Sequence, residues 1–150
     1  MKMATRTFTL NEALDLLPIL ETLLRGAAES KKRVSEIDAQ FQQVNQRVMM
    51  HGGVSLDIVP LARLRAERDK LSQGITDALS EITAMGVQVK DLDIGLLDFP
   101  CVVEGKIVLL CWKLGEETIA HWHEVDEGFV GRKPITDKIA KAGRQRRRSH

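Results

Sequence analysis

Eleven positions from Ala13 to Val48, stepping alternately by three and four residues, read Ala13, Leu16, Leu20, Leu23, Ala27, Ser30, Val34, Ile37, Phe41, Val44 and Val48. Only Ser30 is polar. An apolar seam of that period fits a long helix that packs along one stripe, and it does not fit a strand, whose faces alternate at every residue. The helix also has a start signal. Thr9-Leu10-Asn11-Glu12 reads as a capping box, in which the Thr9 hydroxyl accepts from an orphan backbone N–H and Glu12 reaches back to the cap. Pro18 opposes the pattern, because proline removes one helical hydrogen bond and crowds the preceding turn, so a kink or short break is expected near Leu17.

The periodicity stops at Met50-His51-Gly52-Gly53-Val54-Ser55, where two glycines mark a turn, and Pro60 suits the first turn of a new helix. The second helix repeats the seam at Leu61, Leu64, Arg68, Leu71, Ile75, Ala78, Ile82 and Met85, and Gly86 supplies a left-handed stop. The helices are therefore placed at about 9–50 and 58–85. If they fold back antiparallel, Arg68 falls level with Asp38, and an ion pair between them fixes the register.

At 1.5 Å per residue, two such helices make a rod about 40 Å long whose single seam leaves flanks that nothing in the hairpin covers. A second copy of the chain, giving a homodimer with four helices side by side, is the favoured cover. Intramolecular packing in a monomer is the alternative.

With 150 residues, 43% hydrophobic and 29% charged, the chain has the size and composition of one ordinary globular domain. No run approaches the roughly 18 apolar residues of a spanning helix, and Met1 to Thr9 has no hydrophobic signal core, so a cytoplasmic protein without membrane association is expected. Two cysteines, Cys101 and Cys111, are then expected as reduced thiols. The charge is uneven: residues 137–150 carry six Lys/Arg against one acid, while residues 1–136 carry sixteen against twenty. Residues 1–135 are read as the domain, with 136–150 as a basic tail without fixed structure.

After Gly86 the sequence turns to short apolar runs between Gly and Pro. Phe99–Val103 and Lys106–Trp112 flank Glu104-Gly105, a hairpin turn with Gly at positive φ. A further turn at Gly115-Glu116-Glu117 leads into Thr118–His123. The strand-rich segment 87–135 thus reads as a small antiparallel meander of three strands, with Val87–Lys90 as a fourth. The fold class is α+β, a long antiparallel helical hairpin followed by a β-meander.

The elements Asp91-Leu92-Asp93, Gly95, Asp98-Phe99-Pro100, Leu110-Cys111-Trp112, Leu114-Gly115-Glu116, Trp122-His123 and Gly128-Phe129-Val130-Gly131-Arg132 resemble the signature region of the prokaryotic family called domain of unknown function 2203. Phe8-Thr9-Leu10 followed by Leu16-Leu17-Pro18 is similar to the way that family begins. The resemblance spans about nine tenths of the chain. It implies a shared architecture and brings with it no activity, cofactor or catalytic residue, and the tail beyond Ile135 reads as an addition to the shared core.

His121 and His123 stand two apart on an expected strand, so both imidazoles share a face, a spacing that can serve a divalent metal. A third donor would come from Cys111, which the second turn sets opposite His121, or from Glu124, Asp126 or an acid of the Asp91–Asp98 loop. The plainer alternative places Trp122 in the core and both histidines on the solvent side. Cys101 pairs with Val108 across the first turn, which leaves the two cysteines roughly 10 Å apart, too far for a disulfide or a shared metal.

Asp91, Asp93 and Asp98 with His123 and Arg132 could line a pocket for a polar ligand, with the arginine on an anion. Against that, the first two aspartates suit Asx turns and Arg132 suits a local ion pair. No phosphate loop is present. The tail arginines Arg144, Arg146, Arg147 and Arg148 could meet nucleic-acid phosphates by charge alone, or simply be solvated. The leading reading is a non-catalytic interaction or scaffold protein that needs no cofactor and self-associates through its hairpin. The alternative is a ligand- or metal-binding protein, with hydrolysis as one such use, whose site lies near His121, His123, Asp98 and Arg132.

Overall fold

The computed structural model describes residues 6–52 and 57–148. Helix α1 spans Leu10–His51 and helix α2 spans Ile58–Ala84, and the two pack together as an antiparallel pair. The capping box forms: the Thr9 amide donates to Glu12 Oε1 at 2.8 Å, and the Glu12 amide donates to Thr9 Oγ1 at 3.1 Å.

No break occurs near Leu17. The helix runs on through Pro18, whose ring lies on the exposed side. Ala13, Leu17, Leu20 and Leu24 are buried around it. A mid-helix proline costs about 3 kcal/mol, and burying three leucines returns roughly 1.5–3 kcal/mol each, so continuity wins.

The expected ion pair forms, in the antiparallel register it was read from. Arg68 Nε donates to Asp38 Oδ1 at 2.6 Å, and one turn closer to the sheet on α1 Arg33 reaches Glu67 at 2.7 Å. Burial along the seam is graded. Residues at the sheet end of α1 are buried in a stripe wider than the expected one, because Leu17 and Leu24 join Ala13, Leu20 and Ala27. Towards the hairpin tip Phe41 and Val44 are only half-buried, and in α2 only Ile82 is buried.

Residues 88–134 form a five-stranded antiparallel meander in sequence order: β1 Gln88–Asp91, β2 Leu96–Val103, β3 Lys106–Lys113, β4 His121–Glu124 and β5 Lys133–Pro134. The fourth strand starts at His121 rather than Thr118, and the two-residue β5 is additional to the expected set. The turn between β2 and β3 puts both Glu104 (φ 52°) and Gly105 (φ 76°) in the left-handed region, the geometry of a tight two-residue hairpin. Gly95 (φ 68°) turns the chain into β2, and a Cβ there would stand 2.5 Å from Leu114 Cβ.

Leu97, Phe99, Leu110 and Trp112 pack against the sheet end of the helices, joined by Phe8 and Ile82. Phe8 meets Phe99 edge to face at 5.7 Å, and its amide donates to the Pro100 carbonyl at 2.6 Å.

The tail differs from expectation. Residues Asp137–Arg148 form helix α3, and Ile139 enters the core beside β2. Its isoleucine supplies an anchor that the charge count alone does not reveal. The side chains of Arg144, Arg146, Arg147 and Arg148 lie outside the described residues. No helix among the described residues is long and apolar enough to cross a membrane.

Candidate functional site

Because paired residues on neighbouring strands share a face, the register determines what meets on the sheet side turned away from the helices. Asp98 pairs with Cys111, Cys111 with His121, and Leu109 with His123. Alternation then puts Asp98, Cys111, His121 and His123 together on that side. Asp98, Cys111 and His123 are buried, at 1%, 0% and 1% exposure. Each of these three offers one ligand atom, and the three atoms lie within 4.8 Å of one another.

His123 is held at both nitrogens. Nδ1 lies 2.8 Å from the Glu124 carbonyl and Nε2 lies 3.1 Å from Asp98 Oδ1. A carbonyl oxygen only accepts, so Nδ1 carries the hydrogen and donates it. The lone-pair position of a neutral ring, Nε2, is thereby turned onto a carboxylate oxygen. Two acceptors at that distance need a proton or a cation between them. The Cys111 thiol stands beside the same carboxylate. Burial first, and then the Asp98 charge, push it up to about 12, so without a metal it is a thiol and not a nucleophilic thiolate.

The short 3₁₀ turn at Phe129–Gly131 brings Arg132 to this side of the sheet. Its guanidinium donates to the Cys111 carbonyl at 3.3 Å and to Glu116 Oε1 at 2.7 Å, and it stacks over the Phe129 ring at 4.7 Å. Burial would raise the Glu116 carboxyl. The Arg132 guanidinium and the Lys113 amide outweigh burial and hold it below the ordinary carboxylate range. Two polar atoms here have no hydrogen-bond partner, His121 Nδ1 and Arg132 Nε.

Of the residues singled out from the sequence, Asp98 and His123 are in direct contact, and Arg132 is tied to the same row through Cys111. His121 faces the same way, yet the converging donor set is Asp98, Cys111 and His123 and does not include it. Asp91 and Asp93 lie elsewhere. Asp91 caps its own loop through the Asp93 amide at 2.9 Å, and Asp93 pairs with Lys31 of α1. Sequence reasoning passed over the Asp98–Cys111 pairing, although the signal was present: the turn that sets Cys101 opposite Val108 also sets Asp98 opposite Cys111. Glu116 as the partner of Arg132 had no such signal. The other face holds a cavity of about 270 Å³ between Val108, Trp122 and Ile139, away from this cluster.

The fold and cluster define an α+β protein in which a helical hairpin carries a β-meander with a buried Asp-Cys-His group on its outer face. The chain belongs to the family described as uncharacterized conserved protein (DUF2203), whose model matches residues 6–135. That match covers the hairpin and all five strands and stops just before α3. No curated protein and no solved structure matches the chain.

Proposed function

We propose that this protein is a non-catalytic interaction module that self-associates through its helical arm, two copies laying their hairpins side by side as a four-helix coiled-coil bundle. The sheet ends are then left free to meet other partners. The observation that carries the reading is the apolar surface on the outer half of the arm. Phe41, Val44, Leu61 and Leu64 are only half-buried there, and Met49, Ile58 and Val59 are 84%, 73% and 57% exposed.

A second copy suits this surface for two reasons. The outer half of the arm, about 22 Å long and two helices wide, about 20 Å, offers ~450 Å², and continuing the contact along the ~40 Å of paired helix brings it to ~800 Å², the area each side of a stable dimer buries. Charge is also nearly balanced: residues 38–52 and 57–72 carry four acids and five Lys/Arg, so like surfaces approach without strong repulsion. A groove of about 360 Å³ beside Phe41, Asn45 and Arg65 gives the flank relief for interdigitation.

Sedimentation equilibrium on the full chain from ~1 to ~100 μM tests the reading. A dimer is expected, and Val48→Glu combined with Val59→Glu should weaken it by at least about tenfold. A chain that stays monomeric across that range, or a dimer indifferent to both charges, removes the proposal.

A further inference from the structure

We infer that Asp98, Cys111 and His123 are the protein ligands of one divalent transition-metal ion of the zinc class. Three different donors come from three consecutive strands, each nearly inaccessible to solvent, with their ligand atoms within 4.8 Å of one another. Polar groups are seldom sequestered in this way without a shared partner. The His123 ring is oriented as metal-binding imidazoles are: Nδ1–H is committed to the Glu124 carbonyl, and Nε2 is presented to the other donors. Nε2 and Asp98 Oδ1 lie 3.1 Å apart, close enough for one bound ion to take both as ligands.

The chemistry of the set selects the ion. Imidazole nitrogen and thiolate sulfur favour Zn²⁺ and Co²⁺ over Mg²⁺ and Ca²⁺, which take oxygen ligands. One carboxylate and one thiolate cancel the charge of a divalent ion, which a dry site requires. Arg132, the nearest cation, is already neutralised by Glu116 at 2.7 Å.

Bond lengths of about 2.0–2.3 Å place donors about 3.3–3.8 Å apart around a tetrahedral ion. The widest separation, at most 4.8 Å, reaches that by closing about 1 Å, and the 3.1 Å His123–Asp98 contact by opening slightly, both within side-chain adjustment. Three protein donors leave one position for water. His121, opposite Cys111 on the same face, has a buried Nδ1 without a partner, a polar atom that such a water can satisfy.

The untagged full chain, stripped with chelator and refilled with Zn²⁺ or Co²⁺ before desalting, should retain one ion per chain by elemental analysis. The Co²⁺ form should show thiolate-to-cobalt charge transfer in the near ultraviolet and intense visible bands of a four-coordinate ion. Cys111→Ser should abolish the charge-transfer band, and Asp98→Asn should weaken binding at least tenfold. Loss of His123 can unfold the sheet, so the spectrum of the unaltered chain carries the test. No retained metal, or bound cobalt without the thiolate band, overturns the inference.

Discussion

The segments Leu96–Cys101 and Phe41–Val48 are both rich in apolar residues, yet they end in opposite circumstances. In β2 every residue from Leu96 to Cys101 is buried, on both faces of the strand, including an aspartate. In α1 the seam from Phe41 onward is half-covered at best, and Val48 is 37% exposed. The strand lies between two neighbouring strands, with the core that holds Phe8, Leu20 and Ile82 on one face and the His123 side chain against Asp98 on the other. The arm has only its partner helix. Stability is therefore concentrated at the sheet end, and the arm is where apolar surface stays exposed.

Substitutions can break that contrast, beginning with the largest expected effect. Phe99→Ala removes a fully buried ring that packs on Phe8, and a loss of about 3–5 kcal/mol is expected from denaturant unfolding. Asp98→Ala should cost about 1–3 kcal/mol, since it leaves the buried His123 Nε2 without its hydrogen-bond partner. A loss near zero would mean that the cluster is more hydrated than its burial implies. Gly95→Ala meets both a left-handed backbone and Leu114, and about 1–3 kcal/mol should disappear from the unfolding free energy.

Glu116 sharpens the contrast through pH. Its carboxyl is held low in the folded state, so its contribution is fully present above the ordinary value of 4.5 and fades as pH falls through the lowered one. A melting profile of Glu116→Gln should therefore converge with that of the parent in acid. Divergence that grows below pH 4 would refute the pairing with Arg132. At the small end, Arg68→Ala on the arm should leave the unfolding midpoint unmoved, because its pair with Asp38 is solvent-exposed.

What was legible in the sequence follows the same division. The helices, their turn and the Arg68–Asp38 register could be read because a period of three and four, a cap and two glycines are local signals. The hairpin at Glu104-Gly105 was readable for the same reason. The short strand at Lys133–Pro134 was not, since two residues carry no alternation and pairing with His121 is a tertiary event. Helix α3 was hidden by its charge, which masks the anchor at Ile139.

At the site, His123 and Asp98 were visible as chemistry-bearing residues, but their convergence on Cys111 depended on carrying the strand register inward. The exclusion of His121 from the donor set depended on side-chain placement. Neither is a property of spacing alone.

Phe8 hydrogen-bonds to β2, and the chain returns to the same place at Val87. Everything between these points is a loop in the topological sense, a detour that leaves the base of the molecule and comes back to it. Its length is thus a separable variable. Removing one matched heptad from each helix should shorten the reach by about 10 Å while leaving the sheet and its buried cluster as they are. A chain so shortened would be the same head on a shorter handle.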